Sequence, residues 1–373
     1  MRIHLIALAL ILSALSAKAQ QTVEASIWHD GIQRSFIVYV PAIYDGSEAV
    51  PMLLNYHGYT GSAQQQMEFG DFRSIADTAG FIIVHPQGTP DWLNLNHWNV
   101  GGWTLFSTVD DVGFTEALID AVSTQLNIDQ SRIYSTGMSN GGFMSFLLAC
   151  QLSERIAAIA SVTGSMTPQT FNECDPQRPV PVLQIHGTAD DVVAYTGGGI
   201  SESIREAMRY WIQYNNCPIN PVITEFPDVD TNDGTTAAKV RFSDGDEDVQ
   251  VEHIRVFGGG HDWPGSSGNM DFDASSEVWR FLSRFDLNGL RNAASPVDKR
   301  IEGSTAVRIY PNPFKDVLNI DAANGQYYIL YSMTGAVISQ GLLTDSSVQL
   351  DLSDLSSGVY ILDLDGHKER LVK

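Results

Sequence analysis

The feature that most constrains this chain is a series of short apolar runs, each cut off by Gly, His, Pro or Ser. They read "PMLLNYHG", "GFIIVHPQG", "SRIYSTG", "AAIASVTGS" and "VPVLQIHG". Runs of that length bounded by turn residues are buried strands. Between several of them the apolar period becomes helical. Phe114, Leu118, Val122 and Leu126 recur every four residues, and Ile204, Met208 and Trp211, then Val278, Phe281, Leu282 and Phe285, mark two further helices. Strands alternating with helices predict a mostly parallel sheet with helices on both faces, and chemistry gathered at the carboxyl ends of its strands. Ahead of these runs, "TVEASIWHDGIQRSFIVYVP" alternates apolar and polar residues about Asp30-Gly31, which predicts a hairpin with a type I′ turn.

The two ends of the chain are built differently. "MRIHLIALALILSALSAKAQ" has Arg2, an apolar run from Ile3 to Leu15, then Ala17-Lys18-Ala19. This is the pattern of a secretory signal over residues 1–19, and the run is too short for a membrane span. No other stretch is long and apolar enough to cross a bilayer, so an exported, soluble product is expected. Removing Arg2 and Lys18 takes the formal charge from −22 to −24. With no basic patch, nucleic-acid binding is excluded as a function class, and anionic substrates and membrane surfaces are disfavoured. A catalytic unit over 20–290 and a polar linker over 291–305 follow. The last segment, 306–373, shows only alternating strands joined by Gly, Asn, Asp and Ser turns ("AVRIYPNPF", "SVQLDLSDL", "GVYILDLDG"), which predicts a small all-β sandwich.

Within this frame, "IYSTGMSNGGFMSFLLAC" sets Ser139 between Gly137 and Gly141 as G-x-S-x-G, with a strand before it and helical spacing after. That is the context of a nucleophile elbow. Side chains at the two glycines would clash with neighbouring backbone, and the helix start supplies N–H groups and a positive dipole end. A serine nucleophile needs a base, and the base an orienting carboxylate. Asp190 and Asp191 follow the strand "VPVLQIHG", and His261 follows "VEHIRVFGGG", in the order Ser, Asp, His. Asp190 is preferred as the first carboxylate past the strand, with Asp191 the alternative or a cap of the next turn. The oxyanion hole is assigned to the N–H of Asn140 and the N–H of Tyr59 in "NYHGYTGS", with Thr60 next in line; His57 is read as holding that loop. Trp98, Trp103, Tyr195 and Trp263 fall near strand ends and are candidate substrate-binding residues.

Residues 22 to about 290 resemble the secreted esterases grouped with polyhydroxybutyrate depolymerases and feruloyl or acetylxylan esterases, α/β-hydrolases of the first carbohydrate esterase family. "NYHGYTGSAQQ", "VDDVGFTEALID", "DQSRIYSTGMSNGGFMS", "RPVPVLQIHGTADDVVAY" and "GGGHDWPG" carry the likeness in the family's order. The resemblance implies an α/β-hydrolase fold and a carboxylic ester hydrolase. Ser139 would be its nucleophile, His261 its base and Asp190 its orienting acid, with no metal or organic cofactor. Asp110 and Asp111 match the family's paired aspartates and are read as helix capping. The segment "YPNPF", "SSGVYILDL" and the basic finish "KERLVK" resemble the type A sorting domain of the type IX secretion system. That implies passage through the periplasm and release or attachment at the cell surface, with the secretion machinery as partner. A glycan-binding module using Tyr327, Tyr328, Tyr331 and Tyr360 is the competing reading of the last domain.

The three cysteines, Cys150, Cys174 and Cys217, allow one disulfide and a leftover thiol, or three buried thiols. Relatives often carry a cysteine where this chain has "RFSDGDEDVQVEH". Its absence leaves Cys217 unpaired and Cys150–Cys174 as the candidate bridge. "DVDTNDG" lacks the Gly and the Glu of a calcium loop and is read as a turn. The substrate expected is an ester on plant cell-wall polysaccharide, feruloyl or acetyl, with polyhydroxybutyrate or another polyester second. A serine peptidase and a catalytically inactive surface glycan-binding protein are the rivals.

Overall fold

The computed structural model describes residues 20–291, Leu105 apart, and 308–373, apart from 322–326, 333–336, 344–346, 354, 357, 365 and 366. The expected signal segment and most of the expected linker lie outside these residues. The chain divides into two compact units, residues 1–291 and 292–373.

In the first unit a ten-stranded sheet is built from β1 (Gln21–His29), β2 (Ile32–Val40), β3 (Val50–Tyr56), β4 (Ile82–Pro86), β5 (Ile128–Met138), β6 (Ala158–Val162), β7 (Val182–Gly187), β8 (Val222–Glu225), β9 (Thr236–Phe242) and β10 (Val251–Phe257). Their order is β1-β2-β4-β3-β5-β6-β7-β10-β9-β8. The central six, β4 to β10 in that order, are parallel, and the pairs at either edge are antiparallel. The expected hairpin is present. His29 pairs with Ile32, and Asp30 and Gly31 both have positive φ (47° and 77°), as a type I′ turn requires.

Successive residues of the buried strands serve two cores. Met52 and Leu54 face a layer that includes α3 (Asp111–Ser123), α4 (Asn140–Gln151) and α6 (Ile204–Tyr214), through Phe114, Leu118, Phe146 and Trp211. Leu53 faces the opposite layer, with α2 (Arg73–Ala79) and α7 (Ala274–Leu282), through Ala76, Val278 and Phe281. Burial on both faces explains the continuous apolar runs of the sequence. Two residues assigned to helical stripes fall just outside them. Leu126 follows the end of α3, and Phe285 sits in a two-residue ladder with Leu290, because each helix stops once its buried face is complete. Three short helices that the periodicity did not reveal, α1 (Ala63–Phe69), α2 and α5 (Pro168–Glu173), span too few residues to show an apolar stripe.

Asp110 caps α3 by accepting the Gly113 N–H at 2.8 Å. Asp111 does not cap. It is buried and pairs with Arg34 at 2.6 Å, whose guanidinium lies 3.8 Å over the Phe114 ring. Cys150 and Cys174 are bonded and tie α4 to the end of α5, while Cys217 is a buried free thiol.

The second unit holds a three-stranded sheet (Arg308–Tyr310, Val317–Asp321, Ser347–Asp351) and a four-stranded one (Val337–Leu342, Tyr327–Ser332, Val359–Leu364, His367–Val372), with every pair antiparallel. Leu318, Leu330, Leu350 and Leu362 form its core. Tyr328 and Tyr360 are buried in that core, so they pack the sandwich and are not open to a glycan. Among the described residues, no helix of either unit is long and apolar enough to cross a membrane.

Candidate active site

At the carboxyl end of β5 the chain turns sharply into a helix. Ser139 has φ 54° and ψ −119°, a conformation rare for a residue with a side chain, and α4 starts at the next residue. The flanking glycines leave room for it. A Cβ on Gly137 would lie 2.5 Å from the Tyr56 carbonyl oxygen, and one on Gly141 only 2.1 Å from the same atom. Elbow and β3 thus meet backbone to backbone. The Ser139 N–H donates to Val162 O at 2.8 Å, which pins the turn to β6 as well. Among the described residues the Ser139 hydroxyl makes no hydrogen bond.

The loop after β3 lies against this serine: a Cβ on Gly58 would touch Ser139 Cβ at 3.4 Å. Its orientation is fixed by His57. The Gly88 N–H donates to His57 Nε2 at 2.9 Å, so the ring proton is on Nδ1, which donates to Gly58 O at 2.7 Å. Burial pushes this imidazole down to about 4, so it stays neutral in the ordinary range. The same carbonyl also accepts the Gly61 N–H at 3.0 Å. In a trans peptide C=O and N–H point opposite ways, so holding Gly58 O aims the Tyr59 N–H away from His57. Among the described residues that N–H has no partner, whereas the Thr60 N–H is taken by Asn96 O at 2.8 Å. Of the two amides considered from sequence, Tyr59 is the open one. The second open amide belongs to Asn140, in the first turn of α4, where N–H groups lack intrahelical acceptors.

On the far side of the sheet centre, two loops are sewn together. A Cβ on Gly187 would fall 2.2 Å from Gly259 O, so only glycine permits the approach. Ala189 N–H donates to Gly259 O at 2.9 Å and Thr188 N–H to Val256 O at 2.8 Å. This brings Asp190 Oδ2 to 2.8 Å from His261 Nδ1 across 71 positions of sequence. Asp190 is buried, and its Oδ1 accepts the N–H groups of Val192 and Val193 at 2.9 and 2.8 Å. Asp191 is exposed and takes no part. Burial alone would raise the Asp190 carboxyl, but hydrogen bonds from His186, His261 and the Val193 N–H outweigh it and hold the group well below the usual carboxylate range.

His186, at the end of β7, was not singled out by sequence reasoning. It is fully buried, and its Nε2 lies 3.2 Å from Asp190 Oδ2. Its only sequence signal is its place at a strand end, four residues before the aspartate.

The four aromatics divide. Trp98 and Trp263 are 0% and 1% exposed, so they are packing residues and not cleft walls. Trp98 Nε1 donates to His57 O at 2.9 Å, and Trp263 stands edge-on to Phe72. Tyr195 is half-buried, stacks on His253 at 5.7 Å and stands edge-on to His186. Trp103 borders an open space. With Tyr59, Asp91, Trp92, His97 and Phe106 it lines a cavity of about 350 Å³ that begins one residue from Gly58. His29, Asp30 and Asp110 place one donor atom each within 4.8 Å of one another at an exposed corner, but Asp110 already serves the α3 cap.

A parallel sheet covered on both faces, a strained serine between a strand and a helix, and an Asp–His pair on later strand ends decide the fold. The first unit has the α/β-hydrolase fold. Residues 49–213 of the chain match the Phospholipase/Carboxylesterase family, and residues 308–373 match the Secretion system C-terminal sorting domain. The chain is 27% identical over 260 residues to the bifunctional acetylxylan esterase/xylanase XynS20E of Neocallimastix patriciarum, covering 69% of this chain and 34% of that protein. It is 32% identical over 200 residues to feruloyl esterase B of Piromyces equi, covering 50% and 37%. With feruloyl esterase D of Neurospora crassa it shares 28% over 277 residues, covering 71% and 86%. The chain thus spans about a third of the first two relatives. Among solved structures, an acetyl xylan esterase from Aspergillus awamori superposes with a TM-score of 0.53 at 13% identity, over 70% of this chain and 99% of that one, a likeness of fold.

Proposed function

We propose that this chain is an exported serine carboxylic ester hydrolase in which Ser139 is the nucleophile, His261 the base and Asp190 the orienting acid. The observation that carries the reading is the Asp190–His261 hydrogen bond at 2.8 Å, held by two loops at the same sheet end as the strained Ser139 elbow. Asp190 accepts from Nδ1–H, which leaves His261 Nε2 with the lone pair a base needs. Nε2 takes the Ser139 proton as Oγ bonds to the ester carbonyl carbon. The carbonyl oxygen becomes an oxyanion between the Tyr59 and Asn140 amides, each worth about 3 kcal/mol in the transition state. Collapse breaks the ester C–O bond, and His261 returns the proton to the departing alcohol. Water then attacks the acyl-enzyme by the same route and releases the acid.

The substrate proposed is an ester of plant cell-wall polysaccharide, feruloyl or acetyl. The names of the relatives support it, as does the aromatic cavity beside Tyr59. A polyester such as polyhydroxybutyrate would use the same machinery. The sorting-domain match implies export to the cell surface or beyond, with the type IX machinery as the proposed partner.

The test is turnover of methyl ferulate, acetylated xylan and polyhydroxybutyrate by the purified chain, beside Ser139→Ala and with fluorophosphonate labelling. Serine-dependent turnover of one substrate identifies the acyl group. A folded protein that is neither labelled nor active on these or on p-nitrophenyl acetate sinks the hydrolase reading in favour of an inactive glycan-binding protein.

A further inference from the structure

Asp190 Oδ2 is shared between two imidazoles. His261 Nδ1 lies at 2.8 Å and His186 Nε2 at 3.2 Å. The second imidazole has a single possible tautomer. The Gln184 side-chain nitrogen donates to Gly164 O at 2.9 Å, which fixes the amide's orientation, and it stands 2.9 Å from His186 Nδ1. An amide nitrogen only donates, so Nδ1 carries the lone pair and the proton is on Nε2. That N–H donates to Val193 O at 2.8 Å, and Asp190 Oδ2 lies 3.2 Å from the same nitrogen, to one side of that bond. Val193 closes the ring, because its own N–H donates to Asp190 Oδ1.

We propose that His186 is a positioning residue of the hydrolytic site. Its Nε2–H holds Val193, whose own N–H holds Asp190 Oδ1, and its positive edge lies 3.2 Å from the oxygen on which His261 leans. This rests on the reading of Asp190 and His261 as the orienting acid and the base. The physical grounds are two. A buried carboxylate is costly unless its lone pairs are filled, and water cannot stand in for His186 because that side chain is fully enclosed. The positive edge of a second imidazole beside one oxygen also weakens that oxygen's hold on the His261 cation.

The charged and titratable groups around His186 are few. Asp190 and His261 come from the loops. Tyr195 stands edge-on at 5.9 Å, and His253 and Arg255 come from β10, with Arg255 opposite His186 in register. Burial pushes His253 down to about 3, so it is neutral, and Arg255 is the one fixed positive charge of the set.

The test is the NMR titration of His261 in the full chain as wild type, His186→Phe and His186→Gln, beside the pH profile of kcat/KM on p-nitrophenyl acetate. Phe keeps the ring but has no donor, and Gln restores an N–H near the Nε2 position. The expected result is a His261 midpoint about half a pH unit higher in His186→Phe, with the acidic limb of kcat/KM moving equally, and both returning in His186→Gln. A folded His186→Phe protein with an unmoved His261 midpoint overturns the proposal. Should that variant not fold, ¹⁵N spectra of the wild type decide: His186 must stay neutral and protonated on Nε2 from pH 5 to pH 8, and the other tautomer or a charged ring overturns it. A wild type without turnover or fluorophosphonate labelling defeats the hydrolase reading instead, and the titration distinguishes the two failures.

Discussion

The side-chain amide of Asn140 clasps the backbone of Trp98 at both ends. Its Oδ1 accepts the Trp98 N–H at 2.7 Å, and its Nδ2 donates to Trp98 O at 3.1 Å. Because Trp98 Nε1 also donates to His57 O at 2.9 Å, one indole residue joins the helix that follows Ser139 to the loop that carries Tyr59. The two proposed oxyanion donors are therefore set relative to each other by a residue that never meets solvent.

Asn140→Ala keeps the backbone N–H but releases the clasp. The donor is misplaced and not deleted, so the loss is smaller than the hundredfold or more of a deleted donor. A fall in kcat of about tenfold with little change in KM is expected from steady-state kinetics on p-nitrophenyl acetate. An unchanged kcat would show that Trp98 is held without Asn140.

Gly141→Ala places a methyl group 2.1 Å from Tyr56 O, and that atom is backbone in the middle of the sheet and cannot turn aside. The variant is expected to lose more than about 3 kcal/mol in urea unfolding, or not to accumulate as folded protein. Gly31→Ala is the contrasting case. It has no neighbour within 4 Å of its added Cβ, and its cost comes only from its φ of +77°.

Asp190→Asn and Asp191→Asn separate two adjacent carboxylates. The first removes the charge that accepts from His261 Nδ1 and permits the wrong imidazole tautomer, so kcat is expected to drop about 10³- to 10⁴-fold. The second alters an exposed side chain and should leave kcat within about twofold. Equal losses in the two variants would contradict the assignment of Asp190.

Three buried imidazoles give the stability a pH dependence of known sign. Burial lowers His57 to about 4, and His85 and His253 to about 3, against 6.5 when unfolded. Below 6.5 the unfolded chain takes up protons that the folded chain refuses, so stability is full above that pH and is lost as the pH falls toward 4. Urea midpoints should drop steadily between pH 6.5 and pH 4.5. Replacing His85 with Gln should flatten the slope, and a midpoint constant over that range would refute the prediction.

What could be read in the sequence was whatever local order records. The five apolar runs became five of the six parallel strands, because a strand buried on both faces has no polar alternation to preserve. Gly137 and Gly141 identified the elbow, since both the turn and the close approach to Tyr56 demand glycine. The order Ser139, Asp190, His261 placed three side chains at strand ends, where a parallel sheet gathers its loops.

The choices between neighbours needed the tertiary structure. Asp190 and Asp191 are equivalent as letters; the contact of Gly187 with Gly259 turns one inward and leaves the other in solvent. Tyr59 and Thr60 offer equal amides, and only Asn96, brought back by a short ladder, takes one of them. Trp98 and Trp263 sit near strand ends as expected, yet both are turned inward, because a large ring gains more by filling the core than by lining a wet loop. His186 carried no signal of its own, for its meaning lies in which carboxylate oxygen its N–H meets. Sequence fixes periodicity and therefore elements; contacts between loops far apart in the chain arise only when the sheet has assembled and backbone sterics have chosen which side chains face each other.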